Sequence, residues 1–226
     1  MTSEARATVT IAVATALVSA LLILTGMLSQ AAIGAGFIPL RVEAAWTRAV
    51  TEVAVRFVPA DGISPDTAFV VPVWLTPLTA TMIHGGWAHL ALNLLMFVFC
   101  GRETERALGV VGIAILYLVG AYAAAAMQWA FSPASAMPMI GASGAISAVV
   151  GAYAVLFGRR RAQRMGPVPA HIVHIAWLAA AWIGIQLLIG FAGMGGVTVA
   201  IGAHIGGFVA GLVLARPLLG WRFRRA

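Results

Sequence analysis

Gly141-Ala142-Ser143-Gly144-Ala145-Ile146-Ser147-Ala148-Val149-Val150-Gly151-Ala152-Tyr153 sets a serine among small residues at the head of a segment that carries no charge until Arg159. A helix from Ser143 to Arg159 would be about 24 Å long at about 1.5 Å per residue. The hydrocarbon core of a bilayer is about 30 Å thick. With Arg159 at one membrane surface, Ser143 therefore lies below the opposite one. A hydroxyl at that depth is either a packing residue or a buried nucleophile. On this segment alone packing is favoured, because Ser and Gly commonly line interfaces between transmembrane helices.

Composition sets the class. Of 226 residues, 62% are hydrophobic and only 9% are charged, against about a quarter charged in an ordinary soluble domain. The chain reads as an all-α, polytopic membrane protein forming a single membrane domain, 1–226. It has no lysine, so its formal charge of +7 is carried by arginine. Those arginines sit in short clusters between apolar runs, which marks them as topology signals and not a nucleic-acid surface. The lone Cys100 offers no intrachain disulfide.

Six apolar spans are expected, at about 7–33, 87–100, 110–131, 141–158, 170–192 and 199–219. The first is longer than the apolar core of a secretory signal and is read as a retained helix. The second and fourth are short for spans that usually need about 20 residues, and shortness lets water reach one helix end. Arginines follow spans two, four and six, the last in a basic tail at 220–226, whereas the loops after spans three and five carry no charge. Basic residues collect on the cytoplasmic side, so both termini are expected there, with Ser143 and His204 toward the outer side. Between spans one and two, a long interfacial loop covers 37–78. Within it, 42–58 reads as an amphipathic helix lying on the membrane or on the protein, with Trp46, Val50, Val53 and Phe57 on one side.

Polar residues inside a membrane are expensive, so each calls for a role and a partner. In span six, His204, Gly207 and Gly211 share a face; in span four, Ser143, Ser147 and Gly151 do. If these small-residue faces meet, Ser143 and His204 come within hydrogen-bond reach at matching depth. A serine and a neutral imidazole suffice for nucleophilic acyl transfer. No Asp or Glu follows Glu105, so a Ser-His dyad is expected, with packing instead of a carboxylate fixing the ring. At the head of span two, His89 and Asn93 project from one face and can donate to a developing oxyanion, together with the Ser143 amide. The rival readings for that pair are an interhelical polar contact and, with His84, a zinc site. His84 and His89 lie five residues apart without a His-Glu-x-x-His pattern, which argues against metal. Glu105 is expected to cap and fasten the turn after span two. Trp177 and Trp182 read as lipid-facing or core residues, and His171 and His174 as interfacial.

Taken together, Gly141-Ala142-Ser143-Gly144, His84 with His89 and Asn93, and Ala203-His204 followed by Gly207 and Gly211 resemble the rhomboid family of intramembrane serine proteases. Gly101-Arg102-Glu103-Thr104-Glu105-Arg106-Ala107-Leu108-Gly109 is also similar to the family's turn after the second helix. The resemblance covers about 79–211, a catalytic core of spans two to six, and the layout fits the bacterial form. It implies Ser143 as nucleophile, His204 as general base, and His89, Asn93 and the Ser143 amide as oxyanion hole, with Gly141, Gly144, His84, Ser147, Gly207 and Gly211 structural beside them. Trp74 is followed by Leu75 where family members often carry Trp-Arg. Ser147 stands where some members stack an aromatic under the histidine, so close packing against span four is expected to hold the His204 ring.

The expected function is hydrolysis of peptide bonds in or near transmembrane helices of membrane proteins, in the bacterial inner membrane, with no metal or organic cofactor. The expected partners are transmembrane protein substrates and the lipid bilayer, with no nucleic acid. A catalytically silent rhomboid-like binder of transmembrane helices is the alternative, and a small transporter a further one. Substrate, pathway and oligomeric state are not written in the residues.

Overall fold

The computed structural model describes residues 5–47, 71–157, 163–191 and 200–224. In chain order the helices are α1 (Arg6–Leu24), α2 (Leu28–Ala35), α3 (Pro39–Thr47), α4 (Thr76–Thr79), α5 (Trp87–Phe131), α6 (Ser143–Phe157), α7 (Ala170–Phe191) and α8 (Ile201–Arg224). The described residues contain no β-strand, only isolated bridges. The protein is an all-α integral membrane protein, and α1, α5 and α8 are long and apolar enough to cross a bilayer.

At the centre stands α6, where every residue from Ser143 to Ala154 is buried. A helix apolar all round belongs inside a bundle. It packs on α5 and α8, which also pack on each other, while α1 lies against α5 and α7 against α6. Glycine sets the closeness of α6 and α8. A Cβ on Gly207 would meet the Gly144 carbonyl, one on Gly211 the Ala148 carbonyl, and one on Gly151 the Phe208 carbonyl. Small residues that let backbones approach are the usual basis of helix association in lipid, where apolar burial by itself drives little.

Three boundaries differ from the sequence expectation. The 7–33 segment is not one helix: α1 ends at Leu24, Thr25 Oγ1 donates back to the Leu21 carbonyl at 2.8 Å, and the chain turns before α2. Span two does not stop at Cys100. Helix continues to Leu108 and breaks at Gly109, whose φ of 79° only glycine adopts readily. Charge enters before the helix ends because Arg102 and Arg106 face outward while Thr104, Glu105 and Leu108 are buried. The third difference is at the end of α8, which runs through Pro217 to Arg224, so Arg222 and Arg224 form its last turn. The amphipathic helix expected at 42–58 starts earlier, as α3 at Pro39, and its part beyond Thr47 lies outside the described residues, as do Arg159, Arg160, Arg161 and the 193–196 loop.

The two halves of α5, 87–108 and 110–131, run in opposite directions. His89 near one terminus and Ala124 near the other both reach the N-terminal end of α6, whereas Gly109 lies against Arg222 at the far end of α8. One end of the bundle thus gathers Arg102, Arg106, Arg222 and Arg224. The other gathers the polar side chains described below.

Sequence hydropathy hid the way α1 is turned. Thr8, Ala12, Thr15 and Ser19 are its buried residues, and Val9, Val13, Leu17, Leu21 and Leu24 are exposed. Polar side chains face inward because lipid offers them no partner. Glu105 is the main anchor, fully buried and accepting from Ala7 N–H at 3.0 Å, Thr8 N–H at 2.7 Å and Thr8 Oγ1 at 2.6 Å. Glu105 therefore caps the N-terminus of α1, not the turn that follows it. A carboxylate suits the unpaired amides and positive dipole end of a helix start.

Candidate active site

The backbone before α6 is pinned residue by residue. Phe37 and Met139 exchange two hydrogen bonds, N–H to carbonyl at 3.0 and 2.7 Å. Gly141 N–H donates to the Ala80 carbonyl at 2.9 Å, and Ala142 N–H donates to His84 Nε2 at 3.3 Å. Helical bonding then starts with Ile146 N–H on the Ala142 carbonyl at 2.9 Å. The Ser143 amide is among the first N–H groups of α6, which have no acceptor within the helix.

His84 owes its protonation pattern to α1. Ser19 Oγ donates its single hydrogen to the Met82 carbonyl at 2.7 Å and lies 2.9 Å from His84 Nδ1. Nδ1 must then be the donor in that contact, which leaves Nε2 bare to accept from Ala142. Both ring nitrogens are engaged.

His89 is set the opposite way. Its Nδ1 accepts from Gly85 N–H at 3.2 Å, so the remaining ring hydrogen is on Nε2. That nitrogen lies against Gly141, whose φ is 109° and where a Cβ would sit 2.9 Å from it. A side chain at 141 is thus excluded twice, by conformation and by the imidazole. Asn93, one turn on, donates one Nδ2 hydrogen to the His89 carbonyl at 2.8 Å and keeps the second. The Asn93 Oδ1 is buried with no hydrogen-bond partner among the described residues.

Ser143 Oγ and His204 Nε2 lie 2.8 Å apart, both side chains buried, on the N-terminal turns of α6 and α8. The structure brings together the two side chains that the small-residue faces pointed to. The close approach of Gly207, one turn beyond His204, to the carbonyl of Gly144, the residue after Ser143, sets their separation. A hydroxyl this close to a neutral imidazole nitrogen can pass it a proton, and donors beside it can receive charge developing on an attacked carbonyl.

Three contributors were not foreseen. Ser19 acts through His84, as above. Gln128 Oε1 accepts from Ala203 N–H at 3.3 Å, satisfying an amide at the start of α8 next to His204. Trp182, from α7, donates its Nε1 hydrogen to Ser147 Oγ at 2.6 Å and stands edge-on to the His204 ring, centroids 6.3 Å apart at 77°. The His204 ring is thus not held by α6 alone. Ser19 had a readable signal, the stripe Thr8, Ala12, Thr15, Ser19 at helical spacing. Trp182 and Gln128 had none, since nothing local says which neighbour they meet. His174 is buried, whereas an interfacial place was expected. A cavity of about 260 Å³ opens between the first half of α5 and α7, lined by Leu92, Leu95, Met96, Phe99 and Trp182.

An all-α integral membrane protein with a buried serine–histidine contact is the class that fold and site define. Residues 72–221 match the family model described as Rhomboid domain. Over 168 residues the chain is 31% identical to Rhomboid protease GluP of Bacillus subtilis, covering 74% of this chain and 30% of that one. It is 30% identical over 135 residues to Rhomboid protease GlpG of Serratia proteamaculans (59% and 44%). Against RHOMBOID-like protein 4 of Arabidopsis thaliana it is 29% identical over 149 residues (64% and 35%). The chain spans less than half the length of these curated relatives. It belongs to the rhomboid family.

Proposed function

We propose that this chain is an intramembrane serine endopeptidase that hydrolyses peptide bonds in or near transmembrane helices of membrane proteins, with Ser143 and His204 as a catalytic dyad. The 2.8 Å contact between Ser143 Oγ and His204 Nε2 carries the reading. His204 takes the hydroxyl proton as Oγ attacks the scissile carbonyl, and the carbonyl electrons move onto oxygen. That oxygen is met by the Nε2 hydrogen of His89, the free Nδ2 hydrogen of Asn93 and the Ser143 amide. Collapse breaks the peptide C–N bond, and His204 returns its proton to the leaving amine. Water activated by His204 then releases the acyl group.

The names of the GluP and GlpG relatives support protease chemistry, and the intact dyad favours it over a silent helix-binding member. The apolar cavity between α5 and α7 offers an apolar segment a side approach to the dyad. No cofactor is required by these steps. The proposal includes one membrane domain over 1–226 with a catalytic core at 79–211 and six crossings. Termini and the basic tail at 220–226 are cytoplasmic, in a bacterial inner membrane, and the site opens to the outer side, where α6 starts below the surface. The described part of α6, Ser143–Phe157, is about 22 Å long, and the apolar segment is bounded by Arg159 in the sequence, against an about 30 Å hydrocarbon core.

The test is cleavage of a labelled transmembrane substrate by purified protein in detergent. Wild type is expected to cleave, insensitive to chelator, and folded Ser143→Ala and His204→Ala variants to be inactive. Cleavage surviving Ser143→Ala would overturn the nucleophile assignment. Wild type that neither cleaves nor reacts at Ser143 with a mechanism-based serine reagent would indicate the silent binder.

A further inference from the structure

We infer that Trp182 is a positioning residue for the dyad, holding Ser143 through Ser147 and His204 through its ring edge; this rests on the dyad reading above. The described side chains of α7 put little inside the bundle. Trp177 is 68% exposed, Ile172 and Ile183 are exposed, and Val173, His174 and Trp182 are the buried ones. Trp182, at 1% exposure, lies about 12 Å further along the helix than His174. It reaches the dyad through Ser147 and the His204 ring.

Its contacts end on both reacting residues. The indole N–H donates to Ser147 Oγ at 2.6 Å, and Ser147 Oγ donates to the Ser143 carbonyl at 2.7 Å. That relay fixes the side chain of Ser147 and ties it to the first turn of α6, from which Ser143 projects. The same indole meets His204 edge to face, a favoured aromatic arrangement. No carboxylate follows Glu105 in the chain, and the Trp182 indole packs beside the His204 ring. A buried indole N–H needs a partner, and a serine at 147 both supplies it and leaves the ring room. A substitution at 182 therefore acts on the reactivity of Ser143 without removing a reacting group.

The experiment measures the second-order rate at which the full chain in detergent is labelled at Ser143 by a fluorophosphonate. The variants are Ser143→Ala, Trp182→Phe, Ser147→Ala, the Trp182→Phe/Ser147→Ala double, and Trp177→Phe as control, each with its thermal unfolding midpoint. Trp182→Phe keeps a ring beside His204 and loses the donor. A loss of about tenfold is expected, the rate equivalent of about 1.4 kcal/mol, with Trp177→Phe unchanged. Ser147→Ala breaks the same relay, so the double variant is expected to be no slower than the slower single one, the non-additivity of two changes that break one contact. If Trp182→Phe fails to fold, Ser147→Ala carries the test by the same loss. Labelling of folded Trp182→Phe or Ser147→Ala within twofold of wild type, or losses that multiply in the double variant, would overturn the inference alone. Wild type that does not label would remove the dyad reading and this inference with it.

Discussion

Ser19→Ala, a change on a helix that carries neither member of the proposed dyad, is expected to reach Ser143. Ser19 Oγ is fully buried and joins the Met82 carbonyl to His84 Nδ1, while His84 Nε2 holds the amide of Ala142, the residue before Ser143. Removing the hydroxyl leaves His84 two choices. It can keep its hydrogen on Nδ1, buried and unpaired, or move it to Nε2, where it opposes the Ala142 N–H. An unsatisfied buried donor costs about 1–3 kcal/mol. Interhelical hydrogen bonds within membranes are worth about 0.6 kcal/mol on average and about 1.7 at most. The expected destabilisation is therefore about 1–2 kcal/mol, as bounded by these two ranges. Because the strain falls on the turn that aims Ser143, labelling at Ser143 should slow by about threefold to tenfold, with up to about 1.4 kcal/mol of the loss expressed at the transition state. Unfolding titrations in mixed micelles and fluorophosphonate labelling measure the two parts. Val13→Ala, on the exposed face of the same helix, is the control and should change both little. A Ser19→Ala protein matching wild type in both stability and labelling rate would refute the relay through His84.

Replacement of either proposed oxyanion donor, His89→Ala or Asn93→Ala, should lower kcat about 10²- to 10³-fold, the loss typical of one such donor, with KM little changed, measured by steady-state cleavage. Gly211→Val should force α6 and α8 apart at the Ala148 carbonyl and cost at least about 1–3 kcal/mol of stability, read from the unfolding midpoint, with activity falling alongside. Glu105→Gln removes the charge that accepts three hydrogen bonds at the start of α1. Hydrogen bonds to charged groups contribute about 1.5–3 kcal/mol, so α1 should loosen first, seen as faster proteolysis or exchange near Thr8 while α6 and α8 stay protected.

Much of the site was legible because glycine and serine at helical spacing mark where backbones come close. Gly207 and Gly211 with His204, and Ser147 and Gly151 with Ser143, pointed to the two faces that meet. Hydropathy misjudged helix ends wherever charge and helix part company, as at Arg102 and Arg106, which face outward on a helix that goes on to Leu108.

By itself the chain determines its class, its apolar segments and the two residues that face each other, because composition, charge placement and residue spacing are local properties. The tertiary structure alone decides that Glu105 caps α1, that Ser19 sets the tautomer of His84, and that Trp182 of α7 joins Ser143 of α6 in abutting His204. The physical reason is that lipid and bundle interior are equally apolar. The wholly buried α6 and the outward stripe of α1 look alike in hydropathy, and a helix's rotation about its axis is set only when a partner arrives to meet its polar groups.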